Sequence, residues 1–369
     1  MQYFNVKKKL GFGFMRLPQL NGQTDYEQLN KMVDLFIGKG FNYFDTAHGY
    51  HSGMSEVAIK KCVSDRYPRD SFVLTNKLSG DFFKKNEDIR PLFKTQLAAC
   101  GVDYFDFYLM HAQNRNNFKH YVKCCAYEEA FKLKEEGKIK HVGISFHDTA
   151  AVLEDILTKY PQVEVVQIQY NYLDYDDPAI ESKKCLKVCE KFNKPAIIME
   201  PIKGGSLARL TSKAKKVVDD LGITPANLAL RFAAMSDGVM MVLSGMSTLG
   251  QLEENVGFME NYKPLDAIEL SAAARIAAII RKQNIIACTA CRYCVDGCPK
   301  KIMIPDLFAC YNAKKHFNDW NASYYYLFVH TAEGGKASDC ISCGRCEASC
   351  PQKLNIRDLL KSVAKEFEK

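Results

Sequence analysis

FDFYLMH (105–111) is too apolar for a strand with one face in water, which would alternate apolar and polar residues along its length. Seven other stretches share this character: LGFGFMRL (10–17), FNYFDTA (41–47), FVLTNK (72–77), HVGIS (141–145), VEVVQIQY (163–170), PAIIME (195–200) and VMMVLSG (239–245). Runs of this kind are expected of parallel strands buried on both faces. Segments of helical length lie between them. Thr24 with Glu27 reads as a capping box, Asp148 precedes TAAVLEDILTKY, and Thr224-Pro225 supplies an N-cap and first-turn pair. Gly40, Gly101 and Gly137 fall where helices should stop. Eight strand-then-helix units over roughly 250 residues predict an α/β fold, a (β/α)8 TIM barrel. An open doubly wound sheet is the alternative, but no GxGxxG follows the first strand.

Beyond the barrel the chain carries two cysteine runs. Cys288, Cys291, Cys294, Cys298 and Pro299 form the first; Cys340, Cys343, Cys346, Cys350 and Pro351 form the second. Both have the spacing C-x2-C-x2-C-x3-C-P, which holds 4Fe-4S clusters in bacterial ferredoxins, the fourth cysteine ligating the other cluster. One cluster is therefore expected on Cys288, Cys291, Cys294 and Cys350. The other is expected on Cys340, Cys343, Cys346 and Cys298. Zinc ribbons use paired C-x2-C units rather than a run of four ending in Cys-Pro.

The texture changes after Tyr262-Lys263-Pro264. The expected organisation is a barrel over 1–262, a connecting alanine-rich helix over 263–284 (its body LDAIELSAAARIAAIIRKQN, 265–284), and a ferredoxin-type domain, small and partly helical, over 285–369. The 41 residues between the runs (299–339) are rich in Tyr and Lys and hold the only tryptophan, Trp320. They are expected to form extra helices that pack the cluster domain on the barrel. LNIRDLLKSVAKEFEK is expected to close the chain as a helix.

Composition narrows the function classes. The chain has 369 residues, 47% of them hydrophobic, which supports a sizeable core. No apolar signal core opens it, and no run approaches a membrane span of ~20 residues, so a cytoplasmic protein is expected. Eight of the fifteen cysteines belong to the two runs. The other seven (Cys62, Cys100, Cys124, Cys125, Cys185, Cys189 and Cys310) are scattered and read as reduced thiols. Cys185 and Cys189 share an i, i+4 spacing that ordinary packing explains. The formal charge of +7 counts cluster cysteines as neutral; two oxidised cubanes would lower it to about +3. With dispersed lysines as well, nucleic-acid binding is not expected.

Barrel chemistry sits at the C-terminal ends of strands. Those ends present Asp45, then Tyr50 in the following loop, Lys77 and His111. DTAHGY (45–50) with Ser55-Glu56, NK (76–77) and LMH (109–111) resembles the aldo-keto reductases over about residues 8–260. With the cysteine domain, the chain resembles that family's ferredoxin-domain branch. The resemblance implies hydride transfer from a nicotinamide to a carbonyl, with Tyr50 as general acid and His111 positioning the carbonyl oxygen. Lys77, held by Asp45, would lower the tyrosine's pKa.

The resemblance also implies cofactor contacts. Ser145 and Gln167 match its carboxamide-binding pair, although Phe146 replaces the asparagine that follows the serine. Met199 or Glu200 stands where an aromatic residue stacks on the ring. Glu254 and Asn255 match the adenosine-binding pair. Gly245 and Gln251 occupy positions where many members bind the 2′-phosphate with basic residues, which leaves NADH and NADPH both open. Ser247 and Thr248, at an expected helix N-terminus, would bind pyrophosphate or 2′-phosphate through backbone amides. Phe12, Phe14, Met15, His48 and Tyr172 are expected to line the substrate mouth.

Hydride transfer moves two electrons, whereas each cubane takes one, so direct coupling would need a mediator such as a flavin, for which the chain has no motif. Three readings follow. The chain is a nicotinamide-dependent carbonyl reductase (of an aldehyde, ketone or sugar-like substrate) or alcohol dehydrogenase, with clusters for electron transfer or support. It is an electron-transfer protein with a redox partner, whose barrel serves as a docking or flavin scaffold. Or the clusters are structural cross-links.

Overall fold

The computed structural model describes residues 4–283 and 285–368. Eight parallel strands close a barrel: β1 Leu10–Gly13, β2 Tyr43–Asp45, β3 Val73–Leu78, β4 Phe105–Gln113, β5 Ile139–Phe146, β6 Val165–Gln169, β7 Ala196–Met199 and β8 Val239–Ser244. Each pairs with its sequence neighbours, and β1 pairs with β8 to close the ring. All eight grow from the apolar runs, and their side chains divide by alternation. Tyr43, Val73, Phe107, Leu109, Val165, Ile197, Met241 and Leu243 fill the barrel interior. Phe44, Leu74, Tyr108, Met110, Val166, Ile198 and Val242 face the surrounding helices. Gly143 has to be glycine, since a Cβ there would lie 2.5 Å from Val165 Cγ2 and 2.6 Å from Leu109 Cδ2. The inward set continues upward in steps of two, and the next positions are Asp45, Lys77, His111, Ser145, Gln167 and Met199.

The helix-stop glycines take left-handed φ values of 81° (Gly40), 65° (Gly101) and 74° (Gly137). Thr224 Oγ1 accepts from Asn227 N, as expected of a cap. The first helix is capped one residue later than expected: Asp25, not Thr24, accepts from Gln28 N. Asp148 is not the N-cap of the helix that follows, which is Thr149; its carboxylate accepts from Thr149 N at 2.7 Å and from Arg115 N at 3.0 Å and pairs with the Arg115 guanidinium at 2.9 Å.

The expected connecting helix forms over Ala267–Arg281, with Asp266 and Glu269 making a reciprocal capping box. Asn284 lies outside the described residues. Ala272, Ala273, Ile276 and Ala277 pack on Val217, Val218, Leu228 and Ala229 of the barrel's outer helices.

The cysteine domain has its own core, in which Ile302, Leu307, Phe308, Tyr326 and Val363 pack with Cys294 and Cys346. The stretch between the runs folds as helices, Ile304–Phe317 and Trp320–Tyr324, the latter continuing in a wider turn over Tyr325–His330. The helix Ile356–Phe367 closes the domain, with Phe367 stacked on Tyr326 at 4.4 Å. Polar contacts join the two halves. Asp319 Oδ2 lies 3.2 Å from Lys203 Nζ, Glu333 lies 3.0 Å from Arg115, and Arg281 donates to Leu173 O at 2.7 Å. No helix among the described residues is long and apolar enough to cross a membrane.

Candidate active site and cluster cages

Lys77 is a fully buried lysine on an otherwise apolar strand, which demands a partner. Its Nζ lies 2.5 Å from Asp45 Oδ1 and donates to Thr46 O at 2.9 Å. Burial pulls the Lys77 pKa down, but the Asp45 carboxylate, with help from Tyr50, outweighs it and holds the pKa above the ordinary lysine value. Gln167 donates to the other carboxylate oxygen at 3.3 Å.

The same ammonium lies 4.9 Å from the centre of the Tyr50 ring. The Tyr50 ring stands edge-on to His111, with centroids 5.8 Å apart. These four residues converge at the mouth, as the alternation along the strands requires. The electrostatics differ from the sequence expectation in one respect. Burial raises the Tyr50 pKa, and Lys77 offsets this only in part, so the phenol stays protonated above its ordinary value. His111 is pushed well below the usual histidine range by burial and then by Lys77, so the ring is neutral.

Two lobes meet at Tyr50 and His111. One, of about 270 Å³, is lined by Arg16, Ser145, Gln167, Met199, Gly245 and Leu243, among others. The other, of about 460 Å³, runs past Ser79, Asp81, Phe82, Asn117 and His120. A separate cavity of about 600 Å³ between the barrel and Cys288 contains none of the four.

The expected cofactor residues divide into two groups. Ser145 and Gln167 are paired across β5 and β6 and line the first lobe with Met199 and Gly245. Ser145 Oγ accepts from Ala112 N at 2.8 Å, leaving its hydroxyl free to donate. Gln167 Nε2 is committed to Asp45, leaving its carbonyl to accept. Glu200 has a left-handed backbone, φ 55°, and a buried Oε2 with no hydrogen-bond partner; burial raises its pKa.

The other expected cofactor residues are engaged elsewhere. Gln251 accepts from Ser247 N at 2.8 Å, and Thr248 accepts from Gln251 N at 3.2 Å, so these groups close their own loop. Ser247 Oγ donates to Arg16 O at 3.1 Å. Asn255 turns inward to Ser244, and Glu254 accepts from the Thr224 hydroxyl.

Four of the five expected mouth residues lie elsewhere. Phe12 and Phe14 follow the outward half of the alternation, Gly11 and Gly13 taking the inward half, and are buried beneath the helices. Tyr172 is buried against Phe232, and His48 Nδ1 is held 2.8 Å from the buried Glu56. Only Met15 reaches the lobe.

Several site residues escape the sequence reading. Ser79 lies two residues beyond Lys77 and bonds His111 Nδ1 at 2.6 Å; extending the period-two pattern one step would have found it. Arg16 crosses Gly245 closely: a Cβ there would sit 3.1 Å from the arginine's own Cβ, and the arginine would have to shift by a few tenths of an ångström. His147, Trp320 and Tyr324 also line the first lobe, the last two from the cysteine domain.

The eight run cysteines gather into two small cavities. Cys288, Cys291, Cys294 and Cys350 line one; Cys298, Cys340, Cys343 and Cys346 line the other. The two runs repeat one backbone. Left-handed residues recur at equivalent positions: Ala290 and Ser342, Arg292 and Gly344, Lys301 and Lys353. Such alternation makes the concave N–H nests that hold anionic clusters. Backbone amides of Ala290 and Ile302 point at the sulfurs of Cys288 and Cys298, each at 3.4 Å. No three His, Cys, Asp or Glu among the described residues are grouped to hold a single metal ion. Of the other seven cysteines, all but Cys125 are buried.

Comparisons with known proteins agree with both halves. The aldo/keto reductase family model matches residues 9–278, and a 4Fe-4S dicluster domain matches residues 287–355. An NADH-specific methylglyoxal reductase of Escherichia coli is 25% identical over 297 residues, covering 68% of this chain and 88% of that protein. The structure of an aldo-keto reductase from Klebsiella pneumoniae in complex with NADPH superposes with a TM-score of 0.61 at 21% identity, over 74% of this chain and 95% of that one. The holo form of one from Bacillus halodurans gives 0.62 at 22% identity, over 75% and 95%. With a closed parallel barrel, an aspartate, tyrosine, lysine and histidine at its mouth and two cysteine cages in the domain that follows, this chain belongs to the aldo/keto reductase family and carries a 4Fe-4S dicluster domain.

Proposed function

We propose that this protein reduces a neutral carbonyl compound with hydride from a reduced nicotinamide, and that its cysteines hold two 4Fe-4S clusters in the crossed arrangement. The convergence of Asp45, Lys77, Tyr50 and His111 at one point of the mouth carries the reading. When bound, the nicotinamide supplies the hydride; everything else falls to the chain. The protonated Tyr50 gives its proton to the carbonyl oxygen, and Lys77 stabilises the phenolate left behind. With the Ser79 hydroxyl assigned as donor to His111 Nδ1, the neutral ring keeps its proton on Nε2 and holds the same oxygen with a hydrogen bond from it. The free hydroxyl of Ser145 and the free carbonyl of Gln167 form a donor–acceptor pair suited to a carboxamide.

The second lobe suggests the substrate's charge. Among the described residues Asp81 has no ion partner, and no lysine or arginine of theirs lines the lobe to receive an anion. Keto acids and sugar phosphates are disfavoured; neutral aldehydes and ketones suit it. The experiment is a progress curve of NADH or NADPH oxidation with propanal, with glyoxylate as the anionic control. No turnover of either neutral or anionic carbonyls would overturn the reductase reading.

Arg16 is the cation nearest the dinucleotide's expected path, since Gln251 and Ser247 bond each other. Charge-assisted bonds to phosphate contribute roughly 1.5–3 kcal/mol, so Arg16→Ala should weaken NADH and NADPH binding alike by about tenfold or more. Nicotinamide fluorescence titration measures it. A loss confined to NADPH would make Arg16 a 2′-phosphate reader instead.

The pH dependence follows from the two perturbed groups. Tyr50 must be protonated, its pKa lies above the ordinary tyrosine value, and its proton is lost only as pH rises through that raised value. His111 is already neutral through the physiological range. The single-turnover reduction rate should stay flat through neutrality and fall only in strong alkali. An inflection near the ordinary histidine pKa would contradict these assignments.

A further inference from the structure

We propose that the iron–sulfur domain walls the first lobe where it opens on Tyr50 and His111, with Trp320 and Tyr324 as specificity-determining residues for the part of the carbonyl substrate that lies on that side. The proposal rests on the reductase reading above. Both side chains line the lobe that holds Tyr50, His111 and Met199, yet they lie more than two hundred residues along the chain from the catalytic pair.

Their placement is built from both sides. Asp319, just before Trp320, reaches the buried Lys203, which Asp174 also holds at 2.8 Å. The Asp319 carboxylate accepts from Asn321 N as well, starting the helix Trp320–Tyr324 at that point. One turn later Tyr324 is fixed to the end of β4. Its hydroxyl accepts from Asn114 Nδ2 at 2.6 Å and donates to Ala112 O at 3.2 Å. Ala112 is the residue after His111 and has a left-handed φ of 52°, so the tyrosine contacts the strand end at a constrained point beside the catalytic histidine. The Tyr324 ring lies 5.1 Å from that of His147, which lines the same lobe.

Between these two anchors Trp320 stays 42% exposed, with its ring 6.4 Å from that of Tyr324. A large aromatic left half-exposed at a pocket, on a segment anchored at both ends, offers apolar area to whatever binds there. The same insert contributes Ala322, Tyr325, Tyr326 and Val329 to the core that contains Cys294 and Cys346. The wall and the cluster cages therefore share one packed unit.

The test compares two substrates in the cluster-loaded enzyme, propanal as the small probe and nitrobenzaldehyde as the bulky aromatic one. Trp320→Ala should lower the ratio of kcat/KM, aromatic over small, by about tenfold or more, the scale of burying one ring face. Leu327→Ala, at an exposed position on the same insert but outside the lobe, should leave the ratio unchanged. A fold defect would lower both substrates together, so the ratio isolates the wall. An unchanged ratio in Trp320→Ala overturns the proposal while leaving the reductase reading intact.

A second readout needs no turnover. Trp320 is the only tryptophan among nineteen tyrosines, so emission excited at the red edge, where tyrosine does not absorb, reports on this residue. Titration with NADH or NADPH should quench it saturably through energy transfer to the reduced ring. Saturable nicotinamide binding without quenching would place Trp320 away from the lobe and also overturn the proposal. Quenching without carbonyl turnover would instead defeat the reductase reading and leave the wall standing.

Discussion

Replacing Lys77 by methionine should lower the rate of carbonyl reduction by between about a hundredfold and ten-thousandfold, the range attributable to a positioned acid. Methionine fills nearly the same volume, so the barrel interior keeps its packing. What is lost is the cation that stabilises the phenolate as Tyr50 gives up its proton. Burial already raises the Tyr50 pKa, and Lys77 is the first counterweight to it; without that counterweight the phenol becomes a still poorer acid. The loss should fall on kcat, because Lys77 does not line the lobe that would receive the dinucleotide. Nicotinamide binding should therefore stay within a few-fold.

The same substitution leaves Asp45 buried without its ion partner, and removing one member of a buried pair costs roughly 3–5 kcal/mol of stability. Lost activity alone would not distinguish chemistry from unfolding. The double variant Asp45→Asn, Lys77→Met removes the orphaned charge and should recover much of the stability in urea unfolding. It should recover none of the activity. A double variant that regained both would mean the pair serves the fold and that another group protonates the substrate.

Most of the catalytic geometry is legible in the sequence because it is local. Once the apolar runs are read as strands, a period of two fixes which residues point inward, and Asp45, Lys77 and His111 fall on the inward row. The same rule corrects the expectation for Phe12 and Phe14: the inward glycines on either side turn both rings toward the helices. Ser79 extends the row by one step. Tyr50 illustrates a different limit. Its charged neighbours can be read from the strand ends, but the balance between burial and Lys77 depends on the closed mouth, and burial prevails.

The loop of Ser247, Thr248 and Gln251 hides its role for a related reason. The residue types suit phosphate, yet their hydrogen bonds are made within the loop and, for the Ser247 hydroxyl, to Arg16 O. Trp320 and Tyr324 are not readable at all from spacing. Their position depends on Lys203 and Asn114, partners brought near only by the packing of one domain on the other. The cysteine cages are the opposite case, because each run carries its own backbone pattern and the cages need only bring two runs together.

Cys294→Ser should remove one cluster and leave the other, with iron content and charge-transfer absorbance falling to about half of the parent protein's. Cys310→Ser, at a buried cysteine that lines neither cage, should leave both signals unchanged. Those two results would establish that the runs bind clusters, but not how they are wired. The double variant Cys294→Ser, Cys350→Ser decides that. In the crossed arrangement both cysteines line one cavity, so the pair should lose no more iron than either alone. If each run bound its own cluster, the two substitutions would strike different clusters and both signals would disappear. Crossing also has a mechanical consequence, because each cluster would then tie the two ends of the domain together and brace the core shared with the Trp320 insert. The single-cluster variant should accordingly show a smaller preference for the aromatic aldehyde as well as less iron. An unaltered preference would mean that the wall stands on its contacts to Lys203 and Asn114 alone.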